Sequence, residues 1–515
     1  MKKFSDLQFK KKYQRMRKIA GFGNFFLFIF VQIFPFLQKK KAYNFRRVII
    51  MQQTLKQQKQ LRQREQILNG NLFKVILAVA LPILFYNLCN YLYGIYDMMV
   101  VQNANIGEAA DIVVLDQIKN MISTVGGSLA TGGGILVSRR YGEKKIPQAK
   151  RCANALFSMA LVVSGLTLIF IPLGVPFLKL LKTDSTTIEH AMGYYYVQIV
   201  ILVITTMNSC FIALEKSKGN TFKLLCLNFG VIAIKVALTT LFAYGPFEHV
   251  TITWLAVATL IAQSFLFVSG MILCFLPSNI LQIRFRELNF NKNDCLMIFK
   301  LSVPVFVGRF LFSYGKVYVN GVATEAYGKM SVGALGISNT IAGLLSNMIN
   351  SFEDAGSTIV SQNYGNSNGK RIVRFFFINL SYILILSVIG TVGLYVAKEQ
   401  IALFFAPGDP VYQEQIIRIF RWECLDIVFM GLSGAAMSIF YGFGKTRITM
   451  VLSMATLFVY RIPALLLLMN VFHMDYEACG MAMFISNTAS GIVGILAVAF
   501  FLLRLKNNPK YQHLF

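Results

Sequence analysis

Acidic residues are scarce in this chain, 23 Asp and Glu against 50 Lys and Arg, and histidine and tryptophan are scarcer still at four and two copies. His190, His249, His473 and His513 fall in predicted loops or the tail, so they do not converge as metal ligands or catalytic bases would. Eight cysteines (Cys89, Cys152, Cys210, Cys226, Cys274, Cys295, Cys424 and Cys479) are scattered with no Cys-x-x-Cys. Neither a disulfide framework nor a thiolate metal site is indicated, and reduced packing residues are expected. No Walker A phosphate loop occurs, so the chain brings no ATPase of its own and no enzymatic activity is expected.

Apolar sequence is what the chain has in abundance: 56% hydrophobic residues over 515 positions, with a mean hydropathy of +0.57. A soluble chain of this length rarely carries so much. Twelve apolar stretches of about 20 residues, each long enough to cross a hydrocarbon core as helix, recur between Val75 and Leu505. The expected fold is an all-α polytopic membrane protein.

The basic excess is not spread evenly. Residues 1–70 hold 17 Lys and Arg against two acids, Asp6 and Glu65, and the loops 139–151, 215–223, 284–300, 369–374 and 445–447 hold 18 more basic residues. The opposite loops contain only Lys182, Lys329 and Lys398. That alternation is the positive-inside pattern and puts both termini of the twelve-helix core in the cytoplasm. Anionic headgroups of the cell membrane are the expected partner of this basic face, in preference to nucleic acid.

In the basic extension 1–70, the apolar run Ile19 to Leu37 has positive flanks on both sides. A helix lying in the cytoplasmic interface satisfies both flanks and is preferred here to a thirteenth span. Pro35 and Lys39–Lys41 stand where a cleaved signal would need small residues.

The core repeats itself. "LAVALPILF" pairs with "FKLSVPVFV", matching Pro82 to Pro304 at an offset of 222; "ILVSRRYGEKK" pairs with "TIVSQNYGNSN", matching Gly142 to Gly365 at 223; "KSKGNTFK" pairs with "YGFGKTRI", matching Gly219 to Gly444 at 225. Six helices per half is an even number, so both halves enter from the same side and the repeat is parallel. The expected organisation is an N-lobe at 71–276, a linker at 277–299, a C-lobe at 300–506 and a tail at 507–515. Two lobes about a central cleft suit alternating access.

These markers resemble the MATE (multidrug and toxic compound extrusion) transporters of the MOP flippase superfamily. The likeness runs from Ile67 to about Lys506 and is carried by "ILNGNLFKVILAVALP", the Asp97 of "YGIYDMMV", the turns "SRRYGEKKIPQAKR" and "SQNYGNSNGKRIVR", and "GFGKTRITMVLSMATLFVYRIP". The resemblance implies a cation-coupled exporter in which a carboxylate of the first helix takes part in H+ or Na+ coupling, with no other cofactor. It also implies a proline fifteen residues before that carboxylate, an interval that Pro82 and Asp97 keep.

Ionisable residues inside the apolar stretches are the candidate site, because a charge there is costly unless paired or functional. Asp97 is the coupling candidate. In the fifth stretch the family often carries Asn-x-x-x-Asp, and those positions fall here on Lys235 and Thr239. Lys235 lies twelve residues past Lys223, roughly 18 Å of helix rise, so it sits near mid-membrane. It can pair with Asp97 where relatives hold a sodium ion, or line the cleft and meet an anionic substrate group. Asp354, where relatives often have glutamine, is a further coupling candidate. Tyr93, Arg309, Tyr314, Glu353 and Arg461 are the candidate cleft residues, and Arg461 beside Pro463 also has a purely structural reading. Glu423 and Asp426, one face of a helix at i, i+3, are expected in a salt-bridged cluster at the outer end with Arg418 and Arg421. The function expected is export of small organic compounds by a monomer. The alternatives are a flippase for a lipid-linked anionic head group and a sensor or scaffold without transport.

Overall fold

Inside hydrocarbon a backbone N–H or C=O finds no water, so apolar stretches of this length fold as helices that satisfy their own backbone. The structure, a computed structural model, describes residues 39–103, 109–172, 174, 185–245, 252–288 and 291–508, and among these no strand occurs. Residues 1–38 lie outside the described residues, and with them the interfacial helix expected at 19–37. The end of the expected tail, 509–515, lies outside them too. The chain divides into two units, Met1–Gln58 and Lys59–Phe515.

A polar helix, α1 (Lys39–Asn69), precedes α2 (Leu72–Asn103), α3 (Ala109–Gly142), α4 (Ile146–Thr167), α5 (Ser185–Ser217), α6 (Thr221–Tyr244) and α7 (Ile252–Phe275). The second half has α8 (Lys292–Gly365), α9 (Gly369–Val396), α10 (Lys398–Phe405), α11 (Pro410–Gly442), α12 (Thr446–Met454), α13 (Ile462–Asn470) and α14 (Glu477–Asn507). Among the described residues ten helices are long and apolar enough to cross a membrane. One of them, α8, runs for 74 residues and holds two apolar stretches joined at Gly328. The sequence predicts a loop at 324–330. The chain instead stays helical up to and after Gly328, whose φ of 81° and ψ of 170° make a sharp corner in a conformation that side chains other than hydrogen disfavour.

Prolines shape three helices. Pro82 within α2 has no N–H to give the carbonyl of Ala78, and the Thr221 hydroxyl of α6 donates to that carbonyl instead at 3.3 Å. Pro304 sits at the equivalent place in α8. Pro463 follows a π-helical segment, Ala455–Arg461, that joins α12 to α13; widening the turn absorbs the missing donor.

One apolar core lies within the first half, built on Leu136, Leu156, Phe211 and Leu266 and closed by Leu281 and Ile283 of the connection between halves. A second joins Ile76 and Ile83 of α2 to Phe352, Phe375 and Phe440. The connection is also held by polar contacts: Gln60 accepts from the Ile280 N–H at 2.9 Å, and Arg151 Nε donates to Asp294 Oδ2 at 2.5 Å. Residues such as Phe222, Ile389, Val396 and Phe500 are exposed, the face a spanning helix turns to lipid.

Candidate functional site

Two helix faces meet in the first lobe. Tyr93 and Asp97 stand at i, i+4 on α2, and Lys235 and Thr239 at i, i+4 on α6, so each pair presents one face and the faces oppose. Lys235 Nζ lies 3.6 Å from Asp97 Oδ2 and 4.0 Å from the centre of the Tyr93 ring. The Tyr93 hydroxyl donates to Asp97 Oδ1 at 2.7 Å, which leaves its oxygen to accept from Thr239 Oγ1 at 2.9 Å. Tyr93 and Thr239 are buried, while the Asp97 and Lys235 side chains keep 30% and 18% exposure. The carboxylate is thus held by one cation and one hydroxyl.

The second lobe is built differently. Glu423, fully buried, accepts from the Ser338 hydroxyl at 2.6 Å. Asp426 Oδ2 accepts from Asn487 Nδ2 at 2.8 Å, and Asn487 Oδ1 accepts from Arg461 Nη2 at 3.1 Å. Arg461 Nε donates to Ser486 Oγ at 3.0 Å. This corrects the expectation of an outer-end cluster: Arg418 pairs with Glu414 at 2.6 Å and Glu477 at 3.5 Å, and Arg421 with Glu477 at 2.6 Å. The reason is helical phase. Arg418 and Arg421 lie on the exposed side of α11 with Glu414, whereas Glu423 and Asp426 turn inward.

Between the lobes lies a cavity of about 230 Å³. Its charged lining is Lys216 of α5, with Arg309 and Asp354 of α8; hydroxyls of Thr131, Ser138, Ser209 and Thr358 supply much of the rest. Lys216 Nζ donates to Asp354 Oδ2 at 2.5 Å, a bond that spans the two lobes.

At the basic-loop end of this cavity the lobes are joined by contacts that obey the repeat. Arg139 Nη2 donates to the Phe443 carbonyl at 2.8 Å, and Gln362, its counterpart at an offset of 223, donates through Nε2 to the Ser217 carbonyl at 2.7 Å. Each side chain ends one helix and caps the carbonyl end of a helix in the other lobe. Gly142 and Gly365 make the close approach possible, because a Cβ at either would collide with the backbone carbonyl of Gln362 or Arg139 respectively. Arg371 Nη2 also donates to the Ile67 and Gly70 carbonyls at 3.0 and 2.6 Å.

The sequence-derived candidates therefore separate. Asp97, Lys235, Thr239 and Tyr93 come together in the first lobe, with Tyr93 buried and away from the cavity lining. Arg309 and Asp354 line the cavity. Glu353, next to Asp354, turns instead toward Gly434 of α11. Arg461, only 4% exposed, lies inside the second lobe, and Tyr314 is 56% exposed outside the cavity lining. Lys216 is the residue the sequence reading passed over, counted only as a loop charge. Its signal is there in retrospect: Ser209, Ile212, Ala213 and Lys216 all line the cavity at helical spacing.

The MatE family pattern matches residues 82–241 and again 304–467, more than half of the chain, with each match beginning at one of the paired prolines. The chain belongs to the MatE family. The fold agrees: a MATE crystal structure in complex with MaL6 superposes with a TM-score of 0.81 at 17% identity, covering 86% of this chain and 99% of that one. The same TM-score and identity hold for an outward-facing multidrug resistance MATE transporter of the MOP superfamily, with 86% and 98% covered. They hold also for a Pyrococcus furiosus MOP superfamily transporter, again with 86% and 98% covered, described as having a binding pocket of reverse polarity that suggests a different function. A search of the curated proteins finds no match. With ten membrane-capable helices among the described residues, this MatE chain is a multi-pass membrane protein.

Proposed function

We propose that this MatE protein is a secondary-active exporter of small organic compounds in the cell membrane, working as a monomer with twelve spans and both termini in the cytoplasm. The lobes rock about the cleft to give alternating access, and an inward proton flow drives export. The observation that carries this reading is the Asp97–Lys235 pair, 3.6 Å apart in the first lobe with Tyr93 on the same carboxylate. A fixed ammonium at that distance repels a sodium ion from the carboxylate, so H+ rather than Na+ is the exchanging cation. Protonation of Asp97 frees Lys235 and Tyr93 together, which loosens α2 from α6. The joined basic-loop end then represents the state closed to the cytoplasm.

The test is export in proteoliposomes under separately imposed H+ and Na+ gradients, with wild type beside Asp97→Asn and Lys235→Asn. Wild type should respond to the H+ gradient alone, Asp97→Asn should lose that response, and Lys235→Asn should gain sensitivity to Na+. Undiminished H+-driven export by Asp97→Asn would sink the mechanism.

A second reading is favoured by the cations of the cavity, Lys216 and Arg309. The Pyrococcus furiosus relative is described as reversed in pocket polarity, and a basic cavity suits a flippase for a lipid-linked anionic head group. Flipping of a pyrophosphate lipid in vesicles, lost on Arg309→Gln, would support it over export of a soluble compound.

A further inference from the structure

Three charges meet in the cavity between the lobes, and their partners are unequal. Lys216 holds Asp354 at 2.5 Å across the interface. Arg309 forms no ion pair with Asp354 among the described residues; its charge acts on Glu353, and its guanidinium lies over Gly127, where an added Cβ would stand 3.4 Å from Nη1. A guanidinium carries five donors in a planar fork and cannot shed its charge, so this exposed side chain can present several of them to an anion in the cavity. The hydroxyls of Thr131, Ser138, Ser209 and Thr358 add neutral donors to the same walls. One carboxylate against two cations leaves the lining net positive.

We propose that this cavity binds the anionic group, a carboxylate or phosphate, of the transported compound, with Arg309 as its primary partner and Lys216 as a second partner that it takes from Asp354. Asp354 is thus an internal stand-in for the ligand. Because Lys216 belongs to α5 and Asp354 to α8, an anion that captures Lys216 breaks a bond between the lobes, so binding itself unlatches them. The inference rests on the transporter reading above and names the substrate class for its cleft.

Binding is measured without any gradient, on the full chain in nanodiscs, which separates this test from the export test. The probes are fluorescent coumarin-3-carboxylate, its uncharged ethyl ester, and a polyprenyl phosphate as competitor. The carboxylate should bind and the ester should not. Arg309→Gln and Lys216→Gln should each weaken the carboxylate by about tenfold or more, the loss expected for a charge-assisted contact. Asp354→Asn should tighten it severalfold, because the competing carboxylate is gone; a misfolded variant cannot produce that gain. Displacement of the probe by the polyprenyl phosphate at lower concentration than by unlabelled coumarin carboxylate assigns the anion to a lipid head group, and the reverse order to a soluble compound. Equal binding of ester and carboxylate, or weakening by Asp354→Asn, would overturn the proposal. Were the anion to bind as proposed while export failed under every gradient, the transporter reading alone would fall.

Discussion

The two lobes share a fold repeat yet keep their charges in different places. In the first, Asp97 on α2 meets Lys235 on α6, and both side chains are partly exposed. In the second, the position 222 residues after Asp97 is Val319, buried and apolar. The carboxylates stand instead on α11, as Glu423 and Asp426, where the 225-residue offset places Gln198 and Ile201 in the first lobe. Two cations act on these carboxylates, Lys316 and Arg461, and Arg461 is hydrogen-bonded to Asp426 only through Asn487. The contrast extends to the helix ends. Glu215 and Lys218, both fully buried, bond each other at 2.6 Å in the first lobe, and the same offset puts Phe440 and Phe443 there in the second, both packed on Phe501. Duplication conserves the backbone path and the gate, while the polar wiring of each lobe is free to diverge. The first lobe thus keeps a direct ion pair that is partly exposed. The second keeps buried carboxylates in a network relayed by a part-buried amide.

The sharpest way to break that comparison is to remove one cation from each lobe. Arg461→Leu takes the donor from Ser486 and Asn487 and leaves Lys316 as the remaining cation acting on Glu423 and Asp426, and should cost about 3 kcal/mol, the low end for breaking a buried charge network. Lys235→Leu should cost about 1–2 kcal/mol, since Asp97 keeps the Tyr93 hydroxyl and some solvent. Unfolding of both variants in the same mild detergent measures the difference. Equal losses would mean that the two lobes use their charges alike.

The gate should respond alike from either lobe, and this is the next largest effect. Gly142→Ala and Gly365→Ala each push a methyl group into a carbonyl of the opposite helix, an overpacking penalty of about 1–3 kcal/mol in the closed state only. That shifts the lobes toward opening at the basic-loop end by roughly tenfold per 1.4 kcal/mol. Spin labels on the ends of α3 and α8 report the distance, and the two variants should widen it by similar amounts. A response to one glycine only would show that the gate is not a product of the repeat.

How much of this was written in the sequence depends on the length scale of each signal. Helices, the lobe repeat and the paired prolines are local or regularly spaced, so hydropathy and offset arithmetic reach them, and the family pattern starts at the same prolines. The facing of Asp97 and Lys235 could be weighed as one of two options, because two i, i+4 pairs on helices of known polarity have few ways to meet. Lys216 with Asp354 could not, since it depends on the lobes being packed at one end. The sequence predicts a loop around Gly328 because a polar stretch between spans looks the same whether the backbone leaves the helix for seven residues or for one.

The smallest expected effect tests the point on which sequence and structure disagree most. Spacing along α11 puts Arg418 and Arg421 within one or two turns of Glu423 and Asp426, which invites a single cluster. In the structure Arg421 is spent on Glu477 at 2.6 Å, with its side chain 44% exposed, while Glu423 relies on Ser338 and Asp426 on Asn487. Arg421→Ala should therefore cost less than about 1 kcal/mol, as exposed ion pairs do. Had Arg421 been the partner of the buried carboxylates, the same substitution would orphan them and approach the loss expected for Arg461→Leu. Measured side by side in one detergent, the pair of arginine variants decides which residue neutralises the interior of the second lobe, and a large loss from Arg421→Ala would hand that role back to the outer cluster.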